Sequence, residues 1–317
     1  MGTRQIGSSG ISVSPLTLGG NVFGWTVDKA MSFRLLDAFV DRGFNAVDTA
    51  DVYSIFGGTA PGASETVIGE WLAQGGGRRD KICLFTKFGL DMGPGLKGQS
   101  AEYVEQAVEA SLRRLQTDHI DLYFLHWDDG ATAHEETLGA FQKLISSGKV
   151  RAAGISNCGP DRLAGAMEVA ERTGLPAYQS LQTLYNLYDR AAFEGPLEDL
   201  CRQHGLAVFP YFALASGFLT GKYRQEADIA GNAREGLVKR YLDARGMRIL
   251  AALDAISAAT DASPAQIALA WLLSKPVVTS PIVSATSLDQ LDRTLASVDL
   301  VLAPMHLEQL EAASAAD

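Results

Sequence analysis

Four residues of this sequence can take part in moving a proton, and they are far enough apart that separate segments must bring them together: Asp48, Tyr53, Lys87 and His126. A carboxylate, a phenol, an ammonium and an imidazole gathered at one edge form a proton-transfer set. Each alone has an ordinary reading. Asp48 can cap a helix or form a turn, Lys87 can be a solvated surface cation, Tyr53 can simply pack, and His126 can be a hydrogen-bonded interior histidine. What they share is place. Asp48, Lys87 and His126 each end a short apolar run, and Tyr53 follows Asp48 by five residues. Ser156 with Asn157, Gln182 and Tyr211 close the next three runs, so six consecutive runs deliver a polar side chain to the same end.

The elements that must position these groups can be read around them. Eight apolar or β-branched runs recur along the chain: 16–19, 45–48, 82–87, 120–126, 150–156, 177–182, 207–211 and 278–283. Between them lie segments of helical apolar period, such as Met31, Leu35, Leu36, Phe39 and Val40, or Val104, Val108, Leu112 and Leu115. Helix boundaries agree with that pattern. Ser100 is placed to cap a helix, Gly43 to end one, and Ser263-Pro264-Ala265-Gln266 sets a cap, a first-turn proline and a box partner in order. Eight β/α units without a Pro/Ser-rich linker predict one closed (β/α)8 TIM barrel, a single domain over residues 1–317, rather than an open doubly wound sheet. The run Arg4 to Ser14 predicts a small N-terminal β-hairpin at the barrel bottom, and Ala215 to Arg245 a long loop or lid after strand seven. In such a barrel the active site lies at the C-terminal ends of the strands, where the polar residues above fall.

Composition narrows the function. With 27 Lys and Arg against 37 Asp and Glu, the net charge is −10, and no basic cluster offsets it, so nucleic acid and anionic membrane are poor partners. No apolar run approaches the ~18 residues of a membrane span. The N-terminal stretch lacks an apolar signal region, and Cys83, Cys158 and Cys201 are odd in number and widely separated, which points to the reducing cytoplasm. Cys158 reads as an inert thiol. The five histidines show no paired ligand spacing, so no metal is expected. The glycines at 75–77 and 93–98 lack the strand-turn-helix context of a dinucleotide fingerprint and read as turns.

Asp48-Thr49-Ala50-Asp51-Val52-Tyr53, Ser64-Glu65, Thr86-Lys87, Leu125-His126, Gly154-Ile155-Ser156-Asn157, Gln182 with Tyr185-Asn186, and Gly217-Phe218-Leu219-Thr220-Gly221-Lys222 resemble, in order, the signatures of the aldo-keto reductases. The resemblance runs from Leu16 to about Leu295. It implies a nicotinamide-dependent enzyme that reduces an aldehyde or ketone, or oxidises the matching alcohol. Tyr53 then supplies the proton to the forming alkoxide. Because a free phenol has a pKa of ~10, Lys87, held by Asp48, is expected to lower it. His126 is expected to polarise the carbonyl. Ser156, Asn157 and Gln182 suit the nicotinamide carboxamide, and Tyr211 offers a face for its ring.

The resemblance also implies that the rest of the coenzyme lies along Leu214 and Gly217 after strand seven and along Ser284, Thr286, Gln290 and Arg293 after strand eight. NADP(H) is favoured and NAD(H) possible, since Arg293 is the one nearby cation for a 2′-phosphate. Trp25, Phe56, Phe88, Trp127 and Phe212 are expected to line an aromatic mouth for apolar or ring-bearing carbonyls. Several residues depart from the family pattern. Phe212-Ala213-Leu214 replaces Ser-Pro-Leu, Ser284 stands where glycine is common, Thr294 replaces an adenine-contacting Asn, and Ile55, Phe56 and Pro61 lengthen the loop after Tyr53. Potassium-channel β-subunits share the fold and hold NADP tightly, so a redox-sensing binding subunit is the alternative. The short N-terminus, without an obvious docking arm, favours the enzyme.

Overall fold

In a computed structural model, which describes residues 2–55, 58–231 and 235–315, inward-facing side chains decide the architecture. Eight parallel strands form a nearly closed barrel: β3 (Thr17–Gly19), β4 (Ala46–Asp48), β5 (Cys83–Phe88), β6 (Ile120–Leu125), β7 (Val150–Ser156), β8 (Ser180–Leu184), β9 (Ala207–Tyr211) and β10 (Ile282–Val283). The expected fold is thus the observed one. Helices fill the connections: α1 (Lys29–Asp41), α2 (Ala63–Leu72), α3 (Ala101–Leu115), α4 (His134–Ser146), α5 (Pro160–Thr173), α6 (Pro196–His204), α7 (Glu235–Val238), α8 (Ala244–Thr260), α9 (Pro264–Leu273), α10 (Leu288–Leu295) and α11 (Pro304–Ser314). Ser100 caps α3 through the amide of Tyr103, and Ser263 with Gln266 forms the capping box of α9. Among the described residues no helix is long and apolar enough to cross a membrane.

Strand alternation sorts the side chains into two sets. Ala46, Cys83, Phe85, Leu122, Phe124, Ala152, Ala207 and Phe209 fill the barrel, and the Leu84, Tyr123 and Phe88 set faces the helices. Phe85, Phe124 and Phe209 meet edge to face at centroid distances of 5.1 to 6.3 Å, which makes a solid aromatic floor. Gly154 is required for it, because a Cβ there would lie 2.6 Å from the Phe124 ring and 2.6 Å from Ser180 Oγ. The N-terminal hairpin pairs β1 (Arg4–Gln5) with β2 (Ser12–Val13), and Ile6, Ile11 and Val13 seal the lower end of the barrel.

Two stretches differ from expectation. The eighth run pairs with β3 only over Ile282–Val283 and meets β9 only through the Val208–Val278 bridge. Here the Thr279 hydroxyl accepts the Val208 amide at 3.0 Å, and Pro281 has no N–H to extend a ladder. The Ala215 to Arg245 stretch is not a bare loop. It is broken into helical turns at Ala215–Thr220, Glu226–Asp228, α7 and Lys239–Tyr241, and α8 begins at Ala244. Buried apolar side chains explain the order: Phe218 stacks on Tyr241 at 5.5 Å, and Asp189 Oδ2 accepts from Tyr241 OH at 2.8 Å and Arg240 Nη2 at 3.0 Å.

Candidate active site

Above the aromatic floor, one strand step further along β4 and β5, the inward positions turn polar. Asp48 and Lys87 occupy them, 1% and 0% exposed. The Lys87 Nζ donates to Asp48 Oδ2, to the Thr49 carbonyl and to the Tyr53 hydroxyl, each at 2.8 Å. Three acceptors consume three N–H bonds, so this lysine sits there as an ammonium. Burial pulls its pKa down and Asp48 opposes that shift. Tyr53 reaches back from the loop after β4, with its hydroxyl 3.5 Å from Asp48 Oδ2 and its ring 4.4 Å from Lys87 Nζ. That loop is pinned: Ser54, at φ 81°, donates to the Phe23 carbonyl at 2.7 Å.

The expected lowering of the Tyr53 pKa is not what the site shows. Burial first, and then the Asp48 carboxylate, push this phenol well above its ordinary value. Tyr53 is therefore a neutral hydroxyl, able to give a proton, with an ammonium already placed against the oxygen that gives it. His126, just past β6, meets Tyr53 edge to face at 5.9 Å. Burial, helped by Lys87, holds its imidazole well below the usual value, so the ring is neutral. Among the described residues its buried Nδ1 has no partner, which leaves Nε2 as the nitrogen to meet a ligand. The next loop residues are held by Arg162, which pairs with Asp128 at 2.6 and 2.8 Å.

A second group of polar residues adjoins the first. Ser156 and Gln182 are register partners on neighbouring strands, which places them roughly 5 Å apart. Asn157, at φ 51°, donates to the His126 carbonyl and to Ser156 Oγ, and its Oδ1 accepts from Tyr211 OH at 2.6 Å. Gln182 Nε2 donates to Asp48 Oδ1 at 3.0 Å. The structure thus brings together Asp48, Tyr53, Lys87, His126, Ser156, Asn157, Gln182 and Tyr211. The half-buried Leu214 and Gly217 follow on the loop after β9, with Gly217 at φ 96°.

The β10 side is more occupied than its sequence suggested. Ser284 Oγ donates to the Gly19 carbonyl at 2.9 Å and lies 2.6 Å from Asn21 Oδ1, so it ties the barrel seam together. Thr286 donates through N and Oγ1 to Gln290 Oε1, and Arg293 pairs with Asp289 at 2.8 Å on the exposed face of α10.

Of the aromatic positions, Trp127 and Phe212 are exposed at the rim and Trp25 is part-exposed on the loop after β3. Phe88 does not line the mouth. It follows the inward Lys87 by one residue and so points outward, fully buried, stacked on Tyr123 at 4.8 Å and against Phe141. Phe56 lies outside the described residues. Cys158 is a half-buried thiol that burial pushes up to about 12, consistent with an inert group. A surface depression around Arg79, Arg113 and Lys149 is at the opposite end of the barrel, beside the starts of β5, β6 and β7, and holds no comparable set.

Sequence reasoning missed three features. One is the Thr49 carbonyl as the third acceptor of Lys87. Another is the Gln182 contact with Asp48. The third is Asp51, whose two carboxyl oxygens are buried with no hydrogen-bond partner among the described residues; burial, with Glu65 adding to it, raises its pKa well above 3.8. The only sequence signal for Asp51 is its place in the Asp48 to Tyr53 segment.

Comparison with known proteins fits this arrangement. The sequence model of the Aldo/keto reductase family matches residues 15–315. An uncharacterized oxidoreductase of Bacillus subtilis, YrpG, is 34% identical over 94% of this chain and 91% of its own. A probable voltage-gated potassium channel subunit beta of Arabidopsis thaliana is 32% identical over 97% and 95%. The norsolorinic acid reductase stcV of Emericella nidulans is 32% identical over 96% and 79%.

Proposed function

We propose that this chain, which belongs to the aldo/keto reductase family, is an oxidoreductase that reduces an aldehyde or ketone to an alcohol, or runs the reverse, with a nicotinamide coenzyme. The observation that carries the reading is the buried ammonium of Lys87, shared at 2.8 Å between Asp48 Oδ2, the Thr49 carbonyl and a neutral phenol at the barrel mouth. The residues present fit a nicotinamide. Ser156 and Gln182 stand side by side with a hydroxyl and an amide oxygen to offer its carboxamide, and the half-exposed Tyr211 ring is fixed beside them by Asn157.

When bound, the reduced nicotinamide supplies a hydride to the carbonyl carbon. His126, neutral, donates from Nε2 to the carbonyl oxygen and orients it. Tyr53 gives its proton to that oxygen as the alkoxide forms, and the phenolate left behind is held by Lys87 Nζ. The ammonium therefore acts on the charge that appears during the reaction, while Asp48 keeps the ammonium in place. Solvent at the open mouth returns the proton to Tyr53.

NADP(H) is the coenzyme we favour, with NAD(H) as the competitor. Its adenosine end would run past Leu214 and Gly217 to Thr286, Gln290 and Arg293. Trp25, Trp127 and Phe212 suit a ring-bearing carbonyl substrate. The test is Tyr53→Phe. Hydride transfer in a single turnover should fall by about 10² to 10⁴, while the coenzyme Kd, read by fluorescence quenching, stays within a few-fold. Transfer within about tenfold of wild type would place the general acid elsewhere. Tight coenzyme binding with no turnover of any carbonyl or alcohol by the unmutated protein would favour the second reading, a redox-sensing binding subunit, which rests on the likeness to the Arabidopsis protein.

A further inference from the structure

Phe212 stands where strand parity would send it away from the mouth. Along β9, Ala207 and Phe209 face inward and Tyr211 continues that row, so the next residue of an extended chain would point out toward the helices, as Phe88 does after Lys87. Neighbouring residues of a strand face opposite sides, and their rings do not meet. Yet the Phe212 ring meets the Tyr211 ring edge to face at 5.4 Å and is 39% exposed. The backbone accounts for it. Phe212 has φ 50°, in the left-handed region, and this turn brings its side chain back beside Tyr211. A bulky aromatic residue does not take that conformation unaided, because its Cβ crowds the carbonyl that follows.

Asn186, on the loop after β8, supplies the hold. Its side chain is 0% exposed, and its Oδ1 accepts the backbone amides of Tyr188 and Asp189, each at 2.8 Å. Those amides can only donate, so the other end of the carboxamide must be the NH2. That NH2 has two protons. One goes to the Phe212 carbonyl at 3.0 Å and the other to Asp189 Oδ2 at 3.0 Å. The same Asp189 oxygen takes Tyr241 OH at 2.8 Å and Arg240 Nη2 at 3.0 Å, which anchors the amide to the segment that follows α7. The Phe212 carbonyl also accepts the Ala215 amide at 2.7 Å. Ala213 leaves residue 212 free to turn, whereas a proline at 213 would confine it to extended backbone.

We propose that Asn186 is a specificity-determining positioning residue: by holding the Phe212 carbonyl it keeps residue 212 in its left-handed turn, and so presents the Phe212 ring at the mouth, where it favours ring-bearing over small aliphatic carbonyl substrates. This rests on the function proposed above. With no exposed surface, Asn186 can act on a substrate only through Phe212. Trp127, at 55%, is the other aromatic side chain left this open among the described residues. Two large apolar rings kept in water at the rim are suited to a flat apolar partner.

The experiment compares kcat/KM for benzaldehyde and for propanal, with whichever of NADPH and NADH gives the faster turnover. Phe212→Ala should lower the benzaldehyde-to-propanal ratio roughly tenfold, the scale of one lost aromatic wall. Asn186→Ala keeps the ring and releases its backbone, and it should lower the ratio to a similar extent, mainly through a higher KM for benzaldehyde. Phe212→Ala/Asn186→Ala should fall no further than either alone, because both act on one contact. Ala213→Pro forbids the turn without touching Asn186; it should reproduce the loss, and it serves where Asn186→Ala does not fold. General damage to the fold lowers both substrates alike and leaves the ratio in place.

A second readout needs no turnover. At φ 50° a glycine is unstrained and an alanine is not. Without coenzyme, Phe212→Gly should therefore melt about 1 °C above Phe212→Ala, and in the Asn186→Ala background that order should vanish or reverse. A ratio kept in Phe212→Ala would overturn the selectivity. A ratio lost there but kept in Asn186→Ala, or in Ala213→Pro where that variant does not fold, would overturn the hold of Asn186, as would an unchanged melting order in its absence. In each of these cases the function itself stands. The expected melting order with no turnover of any carbonyl by the unmutated protein would overturn that function and the selectivity with it.

Discussion

Replacing Lys87 with Met removes the cation from the most deeply buried ion pair of the site and leaves its partner behind. Asp48 is 1% exposed, and once the ammonium is gone it retains only the Gln182 Nε2 donor at 3.0 Å and the Tyr53 hydroxyl at 3.5 Å. The Thr49 carbonyl, at 2.8 Å from Nζ, loses a donor at the same time. Stranding one charge of a buried pair costs about 3–5 kcal/mol. With an unfolding entropy of about 2.1 cal/mol/K per residue, a chain of 317 residues loses about 1.5 °C of Tm for each kcal/mol, so Lys87→Met should unfold about 4 to 8 °C lower. Asp48→Asn/Lys87→Met removes both charges and should recover at least half of that loss. Thermal melts by far-ultraviolet circular dichroism, without coenzyme, test this independently of any activity. A double variant that melts as low as the two single losses added together would show that the pair is not coupled, and the placement of a charged lysine against Tyr53 would fail with it.

Two further outcomes follow from other groups. Burial first, and then the nearby Glu65 carboxylate, raise the folded pKa of Asp51 well above 3.8. The folded state then binds a proton that the unfolded chain has released, and stability is fully present below about pH 4 and is lost as the pH rises through the folded value. Asp51→Asn should therefore raise the Tm by about 2 °C or more at pH 7, with the gain shrinking toward pH 4; a pH-independent fall in Tm would refute the protonated state. Arg293, which among the described residues pairs with the exposed Asp289 on its own helix, can exchange that partner for a phosphate. Arg293→Ala should raise the Kd for NADPH by roughly tenfold, one charge-assisted bond, and barely alter that for NADH; equal losses for both coenzymes would remove Arg293 from the 2′-phosphate site.

The barrel and the top-layer positions were legible because both obey short periods. Strand alternation carries Phe85 to Lys87 and Phe124 to His126 on the inner face, and the helical segments between runs left few other topologies. The same alternation excludes Phe88 from the mouth, since it follows an inward lysine and its aromatic ring belongs to the core between β5 and the helices. Features that depend on distance across the barrel were not legible. Nothing local marks the Gln182 contact with Asp48, 134 residues away in sequence. The direction of the Tyr53 shift depends on how dry the site is, and that is a property of the packed floor. The Ala215 to Arg245 stretch looked like a loop because its helical turns are too short to show a period, and they are ordered by the contacts of Phe218, Val238 and Tyr241.

The dry floor also explains why so costly a charge pair is kept. Phe85, Phe124 and Phe209 close the barrel from below, so Asp48 and Lys87 interact in a medium where water competes little. A pair in that position contributes little net stability, since desolvation offsets most of the attraction. What it fixes is geometry: an ammonium with all three donors committed can point at only one phenol oxygen, and a carboxylate with both oxygens committed can present only acceptors to Gln182. The site therefore gains direction rather than stability from its buried charges, and the one carboxylate of Asp48 fixes both Lys87 and, on the other side, Gln182.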